Sequence, residues 1–189
     1  MITKRSFLIG AATTIGLTPV SALAAPVRKR RRFSLHPRYR PQVVKFTGYS
    51  PGTIVINPRR HYLYLVLPGG RARRYGVGVG RAGRAFRGSA RIARKAKWPS
   101  WTPTQNMIRR EPRKYARYAK GVPGGRGNPL GARALYLYQG DRDTMFRIHG
   151  TTEPRSIGRS VSNGCIRMLN SHVIDLYRRV PTGTRVIVV

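Results

Sequence analysis

Two side chains carry the most reactive chemistry in this sequence: Cys165, its only cysteine, and His149, sixteen positions earlier. A thiolate rather than a thiol is the nucleophile, so a working cysteine needs a base or positive surroundings. A histidine within hydrogen-bond reach supplies that base. Ser162-Asn163-Gly164 leads into Cys165 as a small, turn-prone tripeptide. Glycine beside a nucleophile lets a substrate carbonyl approach the backbone, where amides around Gly164 and Cys165 would form an oxyanion hole. A lone cysteine is often just a buried small hydrophobe; the lead-in and the upstream histidine favour the nucleophile. Of the other histidines, His61 reads as surface and His36 has no evident partner. His172, seven residues beyond Cys165, is the fallback base. No paired Cys or His spacing of a metal site occurs, so neither metal nor cofactor is expected.

Such groups need rigid elements to aim them. Residues 53–57 and 62–67 are β-rich runs separated by Asn57-Pro58-Arg59-Arg60, the outline of a hairpin. Pro68-Gly69-Gly70 is a second turn, and beyond it Gly76, Gly78 and Gly80 alternate with valine. That alternation suits a strand with one face closely approached, and no Lys-Ser/Thr follows to make it a phosphate loop. Residues 91–97, 132–138, 144–149 and 184–189 are further strands, which sets His149 at a strand end. Asn170 reads as the N-cap of a helix ending at Pro181, with Val173, Ile174, Tyr177 and Val180 on its apolar face. Another short helix, interrupted at Pro112, fits 104–119. The fold class is mainly β with one or two short helices. Trp98 and Trp101 sit in irregular backbone, where tryptophan either seals a core or lines a cleft. The Gly/Pro-rich stretch 121–131 is compatible with a lid.

The segment from Ile148 to Asn170 resembles the signature of the L,D-transpeptidase family, the YkuD-type catalytic domain of bacterial cell-wall enzymes. His149-Gly150-Thr151 matches its His-Gly-Thr element, and Ser162-Asn163-Gly164-Cys165-Ile166-Arg167 its Ser-x-Gly-Cys-Ile/Val-Arg element. The likeness runs on to Gly183-Thr184 and back to Gly52, roughly three quarters of the chain and one domain's worth. It implies a β-sandwich-like fold and a cysteine acyltransferase. The implied substrate is a peptidoglycan tetrapeptide stem, attacked at the diaminopimelate carbonyl with release of D-alanine. The implied acceptor is a second stem amine or the amine of an envelope protein. By the same resemblance the third triad member is the backbone carbonyl of Gly150, and Ser162 orients the turn. Arg167 matches a family arginine, either a bidentate carboxylate contact or a structural pair. Trp98 and Trp101 are placed near substrate. Two positions depart from the pattern. Asn163 stands where many members have histidine and cannot be a base. His172 stands where an acid is expected, close to a helix N-terminus that favours an acid over a cation.

Lys4 and Arg5, the apolar run from Phe7 to Leu17 and Ala22-Leu23-Ala24 read as an export signal over 1–24. Thr3-Lys4-Arg5-Ser6-Phe7-Leu8 is also compatible with a twin-arginine variant. Residues 25–48, with Arg28 to Arg32 and three prolines, read as a loosely attached basic arm, and the catalytic domain as 49–189. A net charge of +33 against five acids draws in polyanions. Nucleic acid is the usual first guess for such a composition. An exported protein meets anionic envelope polymers first, so no nucleic-acid partner is expected, and the periplasm or cell envelope is the expected location. Two alternatives stand beside the transpeptidase reading. One is a carboxypeptidase in which water resolves the same thioester; the other is a non-catalytic protein that binds envelope polyanions.

Overall fold

Nine strands form one mixed sheet in the computed structural model, which describes residues 33–81 and 86–189. They are β1 (Gln42–Lys45), β2 (Ile54–Asn57), β3 (Tyr62–Leu67), β4 (Arg71–Gly76), β6 (Gly88–Lys97), β7 (Arg133–Gln139), β8 (Arg142–His149), β10 (Ile166–Arg167) and β11 (Arg185–Val188). Their order across the sheet is β1-β4-β3-β2-β11-β6-β7-β8-β10. The short strands β5 (Val79–Gly80) and β9 (Ser160–Ser162) pair separately. Helices α1 (Gln105–Arg110) and α2 (Pro112–Tyr115) flank Pro112, and α3 (Asn170–Arg179) follows β10. The chain is mainly β, as expected; the interrupted 104–119 segment supplies two of the three α-helices among the described residues.

The C-terminal strand β11 holds the sheet's middle together, running parallel to β2 and antiparallel to β6. The main core lies on one side of the sheet, where Ile54, Ile56, Leu63, Ile92, Leu135, Ile148 and Val186 meet Val173 and Leu176 of α3. Lys95 on β6 donates to the carbonyls of Tyr177 and Val180, satisfying acceptors left open at the end of that helix. Strands β2 and β3 are apolar on both faces. Val55, Tyr64 and Val66 point away from the main core and need a cover of their own.

That cover corrects the reading of 25–48 as a loose arm. Residues 25–32 lie outside the described residues, as does the whole proposed signal. From Phe33 onward the segment belongs to the folded unit. β1 pairs antiparallel with β4, and Phe46 stacks on Tyr64 with ring centres 4.4 Å apart. Tyr39 is buried against Gly76 and Gly158, where any Cβ would collide with its ring. Burying these aromatic rings outweighs the flanking charge and prolines, so the folded unit starts well before residue 49.

A second correction concerns Asn170. It is the first helical residue of α3, with Leu169 at the cap position and no side-chain cap bond. Its Oδ1 instead accepts from the Ala132 amide at 3.0 Å, tying α3 to the start of β7. Gly131 and Gly150 leave room for that side chain, since a Cβ at either would strike Oδ1.

Candidate functional site

His149 is the last residue of β8, held between Ala134 of β7 and Arg167 of β10. Its carbonyl accepts from Met168 at 2.8 Å, so the backbone is fixed on both sides of the ring. Nδ1 lies 2.6 Å from the Gly150 carbonyl. A carbonyl only accepts, so Nδ1 carries the proton and Nε2 is the basic nitrogen. Burial, reinforced by Arg167, lowers the pKa to about 4. The Gly150 and Leu130 carbonyls offset part of that and Arg147 adds to it.

Cys165 stands just before β10, in a turn closed by Ser162. The Ser162 hydroxyl donates to the Cys165 carbonyl at 2.7 Å and accepts from the Gly164 amide at 3.1 Å. Gly164 has φ 132°, a conformation that other residues rarely adopt. Because the Gly164 N–H is taken by Ser162, it is not open as an oxyanion donor in this state. The thiol lies 3.8 Å from the Met145 carbonyl. Burial pushes the Cys165 pKa up, while the Arg147 amide and the charges of Arg147 and Arg167 pull against it. Both directions disfavour a thiolate–imidazolium ion pair at rest.

Cys165 lines two adjoining recesses. One, of about 90 Å³, is also lined by His149, Ser162, Asn163 and Arg167. The other, of about 210 Å³, is lined by Arg94, Tyr136 and Arg147. Trp101, Met107 and Leu130 belong to both walls. A larger hollow of about 360 Å³ along 153–161 includes neither Cys165 nor His149, so volume does not mark the chemistry here.

The predicted residues therefore divide. Cys165, His149, Ser162, Asn163, Arg167 and Trp101 come together around one cleft. Asn163 donates to the Tyr115 hydroxyl at 3.0 Å. Arg167 makes a 2.6 Å ion pair with Glu153, the structural pairing of its two readings, while still lining the recess. Trp98 does not join the recess walls. It is exposed with φ 45°, and its amide donates to Ala132. Of the two tryptophans placed near substrate, Trp101 alone lines these two recesses. His172 is also elsewhere, on α3, with its ring 6.1 Å from that of Tyr75. It lines neither recess with Cys165.

Sequence reasoning missed Tyr115, Met145 and above all Arg147. Strand alternation carried a signal for the last, because Arg147 lies two positions before His149 and so on the same face. Met145 gave none. Its positive φ of 62° sits in an irregularity of the β7–β8 pairing, and that bulge presents its carbonyl to the thiol.

Residues 51–188 match the family model of YkuD, the L,D-transpeptidase catalytic domain. Among curated relatives, Escherichia coli (strain K12) ErfK/SrfK, described as a probable L,D-transpeptidase, is 35% identical over 136 residues. That match covers 70% of this chain and 42% of the relative. YbiS of the same strain, described likewise, is 34% identical over 151 residues, covering 70% and 43%. The chain thus spans under half the length of these two relatives. Among solved structures, an L,D-transpeptidase from Mycobacterium smegmatis has a TM-score of 0.51 at 20% identity, covering 72% of this chain and 58% of that one. A Brucella melitensis protein described as a probable carnitine operon oxidoreductase is 55% identical, with a TM-score of 0.57. It covers 82% of this chain and 96% of its own. Its description names an activity unlike that of the family model.

Proposed function

The chain belongs to the L,D-transpeptidase family, and on that premise we propose that it is an exported acyltransferase working on peptidoglycan stems through a Cys165 thioester. The observation that carries the reading is that Cys165 and His149 line one recess, with His149 Nδ1 fixed by the Gly150 carbonyl. The stem carbonyl enters between them. His149 Nε2 takes the thiol proton as sulfur attacks, so the ion pair forms only as the S–C bond does. Arg147 and Arg167 lower the energy of the developing thiolate, and the Cys165 amide faces the developing oxyanion. Breakdown of the tetrahedral species cleaves the C–N bond, and His149 returns its proton to the departing D-alanine amine. An acceptor amine, from a second diaminopimelate or an envelope protein, then attacks the thioester and releases Cys165.

Export rests on Lys4, Arg5 and the apolar run after them. No helix among the described residues is long and apolar enough to cross a membrane. The high positive charge suits anionic envelope polymers.

The test is intact-mass analysis of the protein incubated with a disaccharide-tetrapeptide, beside Cys165→Ala. Loss of D-alanine with a cross-linked dimer, both dependent on Cys165, is the expected result. D-alanine loss without a dimer on any amine acceptor would reassign the protein as a carboxypeptidase. No adduct and no turnover by a folded protein would refute the acyl-transfer chemistry.

A further inference from the structure

The 210 Å³ recess beside Cys165 contains a charge arrangement that the acyl-transfer chemistry does not use. Pairing across β6, β7 and β8 lines up Arg94, Tyr136 and Arg147 in one row. The Arg94 guanidinium lies 3.6 Å from the centre of the Tyr136 ring, and that of Arg147 lies 4.4 Å from it. A shift in the β6–β7 register between Ile92 and Arg94 makes this possible. Ile92 points into the core, so strict alternation would send Arg94 there too; the bulge turns it to the cleft side.

The two arginines differ in what neutralises them. Arg147 is held by both oxygens of Asp143, at 2.6 and 2.8 Å. The Arg94 guanidinium takes part in none of the ion pairs or side-chain hydrogen bonds among the described residues, and its one close partner is the Tyr136 ring. A guanidinium held over a ring, with its fork of donors unused, is suited to a carboxylate.

The position of His149 decides which part of a substrate would meet it. His149 must protonate the departing amine, so the leaving residue lies on its side, in the smaller recess. The acyl residue then occupies the Arg94 side. We propose that this recess takes the side chain of the acyl-donor residue, and that Arg94 pairs with a carboxylate at its far end. The site thereby selects a residue such as diaminopimelate over one ending in an amide, which offers Arg94 no charge, or in an amine alone, which its guanidinium repels. This inference rests on the acyl-transfer reading.

The test compares kcat/KM for D-alanine release from three tetrapeptide stems. Their third residue is diaminopimelate with a free side-chain carboxylate, its amidated form, or lysine. One charge-assisted pair predicts a preference of at least about tenfold for the free carboxylate. In Arg94→Gln that ratio should collapse toward one, with Arg94→Lys between. Equal rates on all three stems in the unaltered protein, or an unchanged ratio in Arg94→Gln, would overturn the assignment. A variant that slows all stems equally would also overturn it, showing a structural role for Arg94. If no stem is turned over at all, it is the acyl-transfer reading that fails, and this inference with it.

Discussion

His149 and His172 are both buried, and burial lowers the basicity of each, yet their surroundings differ in kind. His149 has its Nδ1 on the Gly150 carbonyl and its ring on a cavity wall shared with Cys165. His172 has a buried Nδ1 with no hydrogen-bond partner among the described residues. Its ring packs by Tyr75, near the carboxylate of Asp175 and the guanidinium of Arg73. Burial alone thus says nothing about a catalytic role. A fixed tautomer beside an open recess suits one imidazole to the role of a base; the other has neither and packs as a core side chain.

The comparison is broken most directly by substitution. His149→Ala should lower stem turnover by about 10³-fold, the scale of a lost general base, with the fold retained by circular dichroism. His172→Phe should leave turnover within about twofold and move only the melting temperature. Comparable losses in both would erase the distinction.

Protonation sharpens it next. The folded pKa of His149 is depressed to about 4 from 6.5, so the folded state takes up its proton later than the unfolded chain. The stability this costs is absent above pH 6.5 and grows as pH falls to about 4, on the order of 3 kcal/mol. Denaturant titrations from pH 7 to 4 should show that decline, and His149→Asn should flatten most of it. Activity should follow a different course: the neutral base persists, so kcat/KM should show no acid limb near pH 6.5.

Smaller effects come from the supports of each region. Asp175 accepts from Tyr75 at 2.7 Å, Arg73 at 2.8 Å and Arg179 at 2.9 Å. Burial raises its pKa, and these three donors more than reverse that. Asp175→Asn should cost about 1–3 kcal/mol in chemical denaturation while leaving activity per folded molecule intact. Ser162→Ala should do the reverse. It frees the Cys165 turn, lowering kcat by about tenfold, with a stability loss near 1 kcal/mol.

Much of this site was legible before any coordinates. Small residues before a single cysteine and a histidine at the end of a β-rich run make Cys165 and His149 candidates, and the family motif is what joins them as a pair. The turns at Asn57-Pro58 and Pro68-Gly69-Gly70 mark their hairpins, and glycines 76 and 78 mark a close approach, now seen as Tyr39 and the Ser156 carbonyl. What stayed hidden depends on distant partners. The register shifts around Ala93 and Met145 arise from pairing with β7 and leave no local trace, so Arg94 could not be assigned to the cleft. Asn170 has a good capping side chain, but Ala132, 38 residues away, claims it. Val44 and Phe46 were hidden among the basic residues around them, although β2 and β3, apolar on both faces, called for a cover from somewhere.

Strand β1 has a further consequence for handling the protein. β1 lies outermost, against β4, and shields one side of that strand's backbone. Trimming the chain at residue 49 would strip it away, leaving β4 a raw margin of unpaired amides and carbonyls beside the uncovered rings of Tyr62 and Tyr64. Such a margin recruits other chains edge to edge. A shortened version should therefore self-associate, and its loss from solution would be mistaken for a failure of the catalytic domain to fold.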